Sequence, residues 1–106
     1  MNDLFRLEIY RDPTGREPYG RWWDRLDART AQRIANHVDR MRFGNFSDSK
    51  PVGEGVWELR LHFGPGYRVY YLREGDTVVL LLCGGDKGSQ KGDIRRAKEY
   101  ARDHRR

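Results

Sequence analysis

The stretch VWELRLHFGPGYRVYYLR, residues 56–73, indicates most clearly how this chain folds. Apolar and polar side chains alternate on both sides of the turn at residues 64–66, which is typical of two half-buried strands joined as a hairpin. If Phe63 pairs with Tyr67, one face of the hairpin carries the apolar set Trp57, Leu59, Leu61, Val69 and Tyr71. Burial of that face would hold the register, because a slip by one residue would turn every apolar side chain toward solvent.

The opposite face of the same hairpin is predicted to carry a cationic patch. In this register His62 faces Arg68. Arg60 faces Tyr70, and the four side chains share one face. With only Glu58 nearby as a counter-charge, the cations repel one another, and a bound anion would relieve that repulsion. The pattern therefore indicates an anion site, and the alternative is a solvated sheet face with a Glu58–Arg60 pair.

The segments on either side of the hairpin predict an α+β domain. Periodicity places the further elements at residues 5–9 (strand), 19–26 and 31–41 (helices), 77–83 (strand) and 89–104 (helix). The run at 77–83 is apolar on both faces, as in a central strand covered on both sides. Residues 44–55 are expected to form a loop. The order β-α-α-β-β-β-α describes a small, mostly antiparallel sheet packed by a helical hairpin and a C-terminal helix.

Composition limits the class of protein. The chain has 106 residues, 37% hydrophobic and 35% charged, which fits one folded domain spanning residues 1–106 and argues against a disordered chain. No apolar run approaches the length of a membrane span, and the amino terminus lacks the apolar core of a signal peptide. Cys83 is the single cysteine, and no metal-ligand spacing is present. We therefore expect a cytoplasmic protein without a cofactor, a metal or a membrane partner.

The positive charge is concentrated at one end of the chain. Residues 1–86 carry 13 basic and 13 acidic side chains, whereas residues 87–106 carry 8 basic and 3 acidic ones. In the last helix, four basic residues follow one another at spacings of 4, 3 and 4 and so form one stripe along the helix. The stripe consists of Lys91, Arg95, Lys98 and Arg102. Such a stripe can follow the phosphate backbone of a nucleic acid. The alternatives are an ordinary solvated surface and a dock for an acidic partner.

Two lysines outside the patch are further candidates for binding phosphate. Lys87 lies between the central strand and the last helix, where free N–H groups and the helix dipole suit an anion. The alternative is a plain strand-to-helix turn. Lys50, in the predicted loop, could swing over the sheet. Cationic groups of this kind fit phosphodiester chemistry, because negative charge develops on phosphate oxygens in the transition state.

A set of short motifs occurs in order along the chain: KPVGEGV at 50–56, ELR at 58–60, GPGYRVY at 64–70, LLCGGDK at 81–87, and then Gln90, Asp93-Ile94 and Arg96-Ala97-Lys98. In the order and spacing of these motifs, residues 5–104 resemble the addiction module killer protein group of the RelE/ParE toxin superfamily, which is close to the HigB-like toxins. The resemblance implies a compact β-α-α-β-β-β fold with a C-terminal helix. It also implies the toxin half of a type II toxin–antitoxin pair.

The resemblance implies roles for particular residues as well. The family's two sheet arginines, its basic residue after the last strand and its loop lysine correspond to Arg60, Arg68, Lys87 and Lys50. This chain has Asp93 where RelE has a tyrosine in the last segment, so the identity of the general base does not carry over. His62 and Tyr70 are candidates for moving protons because of their place in the predicted patch.

The activity and the partners follow from the same resemblance. RelE-like and HigB-like members cut mRNA in the ribosomal A site through the RNA 2′-OH, so we expect a metal-independent endoribonuclease that inhibits translation, with the basic stripe on ribosomal RNA. The implied partners are the ribosome, mRNA and a HigA-like antitoxin with a helix-turn-helix domain. The resemblance implies that the toxin reaches operator DNA only as part of the toxin–antitoxin complex. Acidic antitoxin segments could dock on the last helix or over the arginines. Alternatives are a ParE-like gyrase inhibitor, which would share the fold, and an inactive nucleic-acid-binding module.

Overall fold

The computed structural model describes residues 4–106, which form a five-stranded sheet with helices on both faces. The strands are β1 (Arg6–Ile9), β2 (Ser49–Gly53), β3 (Val56–Arg60), β4 (Tyr67–Glu74) and β5 (Val78–Asp86). The helices are α1 (Pro18–Asp24), α2 (Ala28–Asp39) and α3 (Gln90–His104), with 3-10 turns at Arg40–Phe43 and Lys87–Ser89. The sheet order is β1-β5-β4-β3-β2, and only the β1–β5 pair among these strands is parallel. The expected α+β class and mostly antiparallel sheet are confirmed.

Strand β5 lies inside the sheet and is covered on both faces, as its apolar sequence predicts. Val79 and Leu81 pack with the apolar side chains of α1 and α2 on one face. Leu80 and Leu82 pack against α3 on the other face. No helix within residues 4–106 is long and apolar enough to cross a membrane.

Local signals set the ends of the two early helices. Pro18 opens α1, where its missing N–H costs no hydrogen bond. The carboxylate of Asp27 accepts a hydrogen bond from the backbone N–H of Thr30 at 2.9 Å and so caps α2. Gly44 ends the following 3-10 turn with φ at 82°, a left-handed conformation that favours glycine.

The loop expected at residues 44–55 contains strand β2, so that prediction was wrong in part. β2 is an edge strand that pairs antiparallel with β3 through its backbone. Its sequence, SKPVG, includes Pro51 and lacks apolar alternation, so no side-chain pattern announces it. Proline is compatible with an edge position, because one side of such a strand needs no ladder hydrogen bond.

The predicted hairpin register was also wrong, by two residues. Arg60 pairs with Arg68 and Trp57 with Tyr71, so Arg60 does not face Tyr70, and His62 does not face Arg68. The connection between the strands is wider than the expected three-residue turn, since the N–H of Leu61 still donates to the carbonyl of Tyr67. A shift of two residues leaves every side chain on its predicted face, because the side-chain period of a strand is two.

Two glycines near the end of β5 let α1 and α3 approach the sheet closely from opposite faces. Opposite the Tyr70–Tyr71 step, β5 carries one additional residue, which shifts the register before Gly84 and Gly85. A Cβ at Gly84 would collide with the indole of Trp22 on one face, and a Cβ at Gly85 would collide with the carboxylate of Asp93 on the other. Glycine at both positions therefore lets the two helices approach the strand closely.

Candidate anion-binding site

The candidate site is built on the cross-strand pair of Arg60 in β3 and Arg68 in β4. Partners in an antiparallel ladder have Cα atoms about 4.5–5.5 Å apart, so the two side chains start as immediate neighbours. The next pair along the ladder, Glu58 and Tyr70, lies beneath α3. The two arginines therefore occupy the same face just beyond the amino-terminal end of that helix. The prediction that they share a face is confirmed.

Arg68 is a buried cation without a carboxylate partner. Its side chain is nine-tenths buried, with 8% of the residue exposed. Nη1 donates to the carbonyl oxygens of Gly66 at 2.9 Å and Tyr67 at 3.3 Å, and Nε is buried without a hydrogen bond. No carboxylate among residues 4–106 forms an ion pair with it. A buried charge without a counter-charge is costly, and a bound anion would supply the missing one.

Arg60 differs because Asp48 holds it. Arg60 Nη2 donates to Asp48 Oδ1 at 3.0 Å, and His62 Nε2 lies 2.5 Å from Asp48 Oδ2. These two hydrogen bonds, the one with His62 first, lower the pKa of the Asp48 carboxyl. Asp48 is thus the counter-charge of the patch, in place of the expected Glu58. Sequence reasoning missed it because Asp48 lies in the segment that was expected to be a loop.

Glu58 has a structural position beneath α3. It is fully buried, and its Oε2 accepts hydrogen bonds from Tyr70 Oη at 3.0 Å and from Gln90 Nε2 at 2.9 Å. Burial, together with the negative charge of Glu58, raises the pKa of Tyr70. The Tyr70 hydroxyl is enclosed and already donates its proton, so it does not belong to the open part of the patch. The three residues connect the first turn of α3 to β3 and β4.

Lys87 lies beside Arg68. A Cβ built on Gly66 would be 3.3 Å from Arg68 Nη1 and 3.4 Å from Lys87 Cβ, so the two cations flank the same glycine. The 3-10 turn that contains Lys87 is capped by Asp86, which accepts from the N–H groups of Gly88 and Ser89 at 2.8 and 3.1 Å. Those two N–H groups are therefore occupied, in contrast to the free donors expected from the sequence.

Lys50 lies on the same face of the sheet. It is exposed on the edge strand β2, and it pairs with Glu58 in the β2–β3 register. Because cross-strand partners share a face, its side chain starts on the side that carries Arg60 and Arg68. The lysine thus comes from a strand rather than from the mobile loop that the sequence suggested.

The basic stripe of α3 divides into two parts. Arg102 forms a two-pronged ion pair with Glu54 at 2.7 and 2.8 Å, and the Lys98 ammonium lies against Gly53. This half of the stripe contacts the turn between β2 and β3. Lys91 and Arg95 are exposed and remain available to a partner.

Asp93 is a buried structural carboxylate. Its side chain bonds to Ser89 Oγ and to Arg96 Nη2, both at 2.5 Å, in the first turn of α3. Negative charge is favourable at that end of a helix. Within residues 4–106 no group of three or more His, Cys, Asp and Glu side chains is arranged to hold a metal ion. The chemistry that the site offers is the binding of an anion by several cations.

Comparison with known proteins identifies the family of the chain. The model of the family described as "Phage derived protein Gp49-like (DUF891)" matches residues 21–104, a range that includes every candidate residue named above. An uncharacterized protein of Haemophilus influenzae is 43% identical over 83 residues, which cover 77% of this chain and 84% of that protein. A toxin-like family of this kind implies an antitoxin partner. The chain belongs to the Gp49-like family of phage-derived proteins, a toxin-like family related to addiction module killer proteins.

Proposed function

We propose that this protein is a RelE/ParE-type, HigB-like toxin that acts in the cytoplasm as a metal-independent, ribosome-dependent mRNA endoribonuclease. The observation that carries the proposal is the pairing of Arg60 with Arg68, in which Arg68 is buried without a carboxylate partner. Such a pair is suited to two oxygens of one phosphate, since guanidinium groups bind phosphate through paired N–H donors.

Arg60 and Arg68 would bind the scissile phosphate and stabilise its transition state. The 2′-oxygen attacks the adjacent phosphorus, the bond from phosphorus to O5′ breaks, and negative charge develops on the phosphate oxygens that face the arginines. The products are a 2′,3′-cyclic phosphate and a 5′-hydroxyl, and the leaving O5′ takes its proton from solvent water. The carbonyls of Gly66 and Tyr67 hold the Arg68 guanidinium in place before RNA arrives.

His62 is the residue that best fits proton transfer. Its side chain is 69% exposed, and Nε2 is held by Asp48, which would stabilise the imidazolium after the 2′-proton is taken. Tyr70 is enclosed beneath α3 and supports the helix instead. Lys87, beside Arg68, would add positive charge near the leaving oxygen, and Lys50 would orient the RNA.

The remaining partners follow from this function. Lys91 and Arg95 would contact ribosomal RNA, while Lys98 and Arg102 would contribute mainly through their packing on the β2–β3 turn. The antitoxin would carry a HigA-like helix-turn-helix domain and would silence the toxin by covering the arginines or α3. Operator DNA would be bound only by the toxin–antitoxin complex.

Programmed ribosomes test the proposal. The purified protein should cut ribosome-bound mRNA and leave 5′-hydroxyl ends, whereas Arg60→Ala/Arg68→Ala should cut at least about 100-fold more slowly. The control variant Arg29→Ala/Arg40→Ala removes the same charge from α2 and the turn after it, and it should cut normally. Intact mRNA together with inhibited supercoiling by gyrase would instead identify a ParE-like toxin. Intact mRNA together with normal gyrase activity would indicate an inactive nucleic-acid-binding module.

A further inference from the structure

A second cationic surface lies in a cleft between α1 and the amino-terminal half of α3. The cleft has a volume of about 440 Å³. Its walls include four arginines, Arg16, Arg21, Arg25 and Arg96, and two carboxylates, Asp12 and Asp93. Positive side chains therefore outnumber negative ones two to one in this arginine cleft, although residues 1–86 as a whole are neutral.

Both carboxylates of the arginine cleft are engaged within the chain. Asp12 Oδ1 accepts from Thr14 Oγ1 at 2.6 Å and from the N–H of Arg16 at 2.9 Å, and these hydrogen bonds lower the pKa of Asp12. Asp93 accepts from Ser89 and Arg96. The acids thus hold the loop and the helix turn in shape, and neither of them pairs with the arginines on α1.

Three of the four guanidinium groups are available to a ligand. Within residues 4–106, the side chains of Arg16, Arg21 and Arg25 form no hydrogen bond or ion pair. Arg21 lies in α1 and Arg25 is the C-cap residue that follows it, and the spacing of four residues places both on the same side of the helix. The close contact of Trp22 with Gly84 fixes this helix against the end of the sheet. The backbone that carries Arg21 and Arg25 is consequently held in place, while their exposed side chains are free to turn toward an anion.

The arginine cleft continues toward the candidate catalytic site. An adjoining cavity of about 480 Å³ shares part of its wall with the cleft, namely Trp22, Arg25, Gly84, Asp93 and Arg96. It extends to Pro65, Tyr67 and Asp86. These residues are the immediate chain neighbours of Gly66, Arg68 and Lys87. A groove therefore runs across the end of the sheet from Arg16 to the rim of the Arg60–Arg68 site.

We propose that the arginine cleft binds the phosphate backbone of the RNA segment that flanks the phosphate held by Arg60 and Arg68. The choice of RNA rests on the proposed function. The lining is mainly charged side chains and backbone, which suits phosphates. RNA is favoured over an acidic protein segment because the groove leads to the proposed phosphate site, so that one continuous phosphate backbone would occupy both. An apolar groove lies elsewhere, between β1, α1 and α2, and its walls include Leu7, Ile9, Trp23 and Val38.

Fluorescence anisotropy of a labelled 12-nucleotide single-stranded RNA, titrated with the whole protein at several salt concentrations, tests the proposal. Each phosphate contact to a single strand contributes about 0.7 to the slope of log K against log salt, so Arg21→Ala/Arg25→Ala should lower the slope by about 1.4. The matched control Arg29→Ala/Arg40→Ala, which loses the same charge, should keep the slope of the wild type. The cleft substitutions should have the same effect in an Arg60→Ala/Arg68→Ala background.

An unchanged slope in Arg21→Ala/Arg25→Ala, or an equal fall in the control, would overturn the cleft proposal and leave the proposed cleavage standing. RNA binding with the expected slope change, but without cleavage on ribosomes, would support the cleft and contradict the proposed function. Absence of RNA binding by the wild type would overturn the cleft proposal, whereas the proposed function is judged separately by cleavage on ribosomes. If the cleft variant lost binding to poly-glutamate while its RNA binding stayed intact, the cleft would be a dock for an acidic protein, and the RNA proposal would be wrong.

Discussion

Arg60 and Arg68 lie directly opposite each other in the ladder of β3 and β4. Of these two arginines, Arg60 forms an ion pair with Asp48, whereas Arg68 has no carboxylate partner within residues 4–106. One cation of the pair is therefore balanced in the free protein, and the other is buried without a counter-charge. An arrangement that costs stability and serves anion binding is typical of a functional site.

Replacement of Arg68 should separate stability from activity. Arg68→Met keeps much of the side-chain volume and removes the uncompensated buried charge, so we expect a free energy of unfolding equal to the wild type or higher by about 1–2 kcal/mol. Cleavage should fall at least about 100-fold, since a transition-state donor is lost. Urea unfolding and a ribosome cleavage assay measure the two effects. A variant that is both clearly less stable and fully active would contradict this account of Arg68.

His62 and Tyr70 should respond differently to substitution. His62→Gln should slow cleavage by about 10²–10⁴-fold with little change in stability, because the exposed imidazole would move protons. Tyr70→Phe should cost about 1–3 kcal/mol in unfolding free energy, because buried Glu58 loses a hydrogen bond. Its cleavage should keep the pH profile of the wild type. Rate–pH profiles of both variants check this, and a shifted profile in Tyr70→Phe alone would reverse the assignment.

Two glycines of the same region should respond in opposite directions to alanine. Gly85→Ala places a methyl group against the buried Asp93 carboxylate and should destabilise by roughly 2 kcal/mol or more, in the range of overpacked cores. Gly92→Ala, inside α3, meets only the flexible end of Arg96 at 3.3 Å and should stabilise by about 0.5–1 kcal/mol through helix propensity. Thermal unfolding of both variants provides the comparison. Similar effects from the two substitutions would mean that α3 does not approach β5 as described.

Alkaline pH should weaken the fold in part through Cys83. Burial raises the pKa of this thiol from 9.0 to about 12, so the folded state keeps a proton that the unfolded state loses. The contribution to stability is complete below pH 9 and is lost as the pH rises through 12. Between these values the wild type should lose about 1.4 kcal/mol per pH unit more than Cys83→Ala. The free energy of unfolding, measured with urea from pH 9.5 to 11, checks this. If it falls with pH equally steeply in the wild type and in Cys83→Ala, the thiol does not contribute.

The sequence predicted the faces of the hairpin better than its pairing. Alternation alone places Arg60 and Arg68 on one face and identifies residues 77–83 as a central strand, because side-chain periodicity reflects burial directly. The pairing depends on the length of the turn, which the Gly-Pro-Gly motif does not determine. Strand β2 was missed because its sequence, SKPVG, includes a proline and has no apolar alternation.

The contacts around the candidate site show the same limit. Asp48 and Gln90 come from segments distant in the chain from the residues that they hold, and only the tertiary fold brings them together. The basic spacing in α3 predicted one stripe, whereas the pairing of Arg102 with Glu54 divides it and depends on where the β2–β3 turn lies. Sequence spacing identifies residues on one face of an element, whereas their partners across the fold require the structure.

Mapping of mRNA 5′ ends in cells after induced expression tests whether Arg60 and Arg68 serve an endoribonuclease. New 5′ ends are expected within coding sequences when the wild type is expressed, and none when Arg60→Ala/Arg68→Ala is expressed at the same level. The control Arg29→Ala/Arg40→Ala should produce the wild-type ends. Growth arrest with intact mRNA, or cleavage that persists without the two arginines, would contradict the assignment of Arg60 and Arg68 as the phosphate-binding pair of an endoribonuclease.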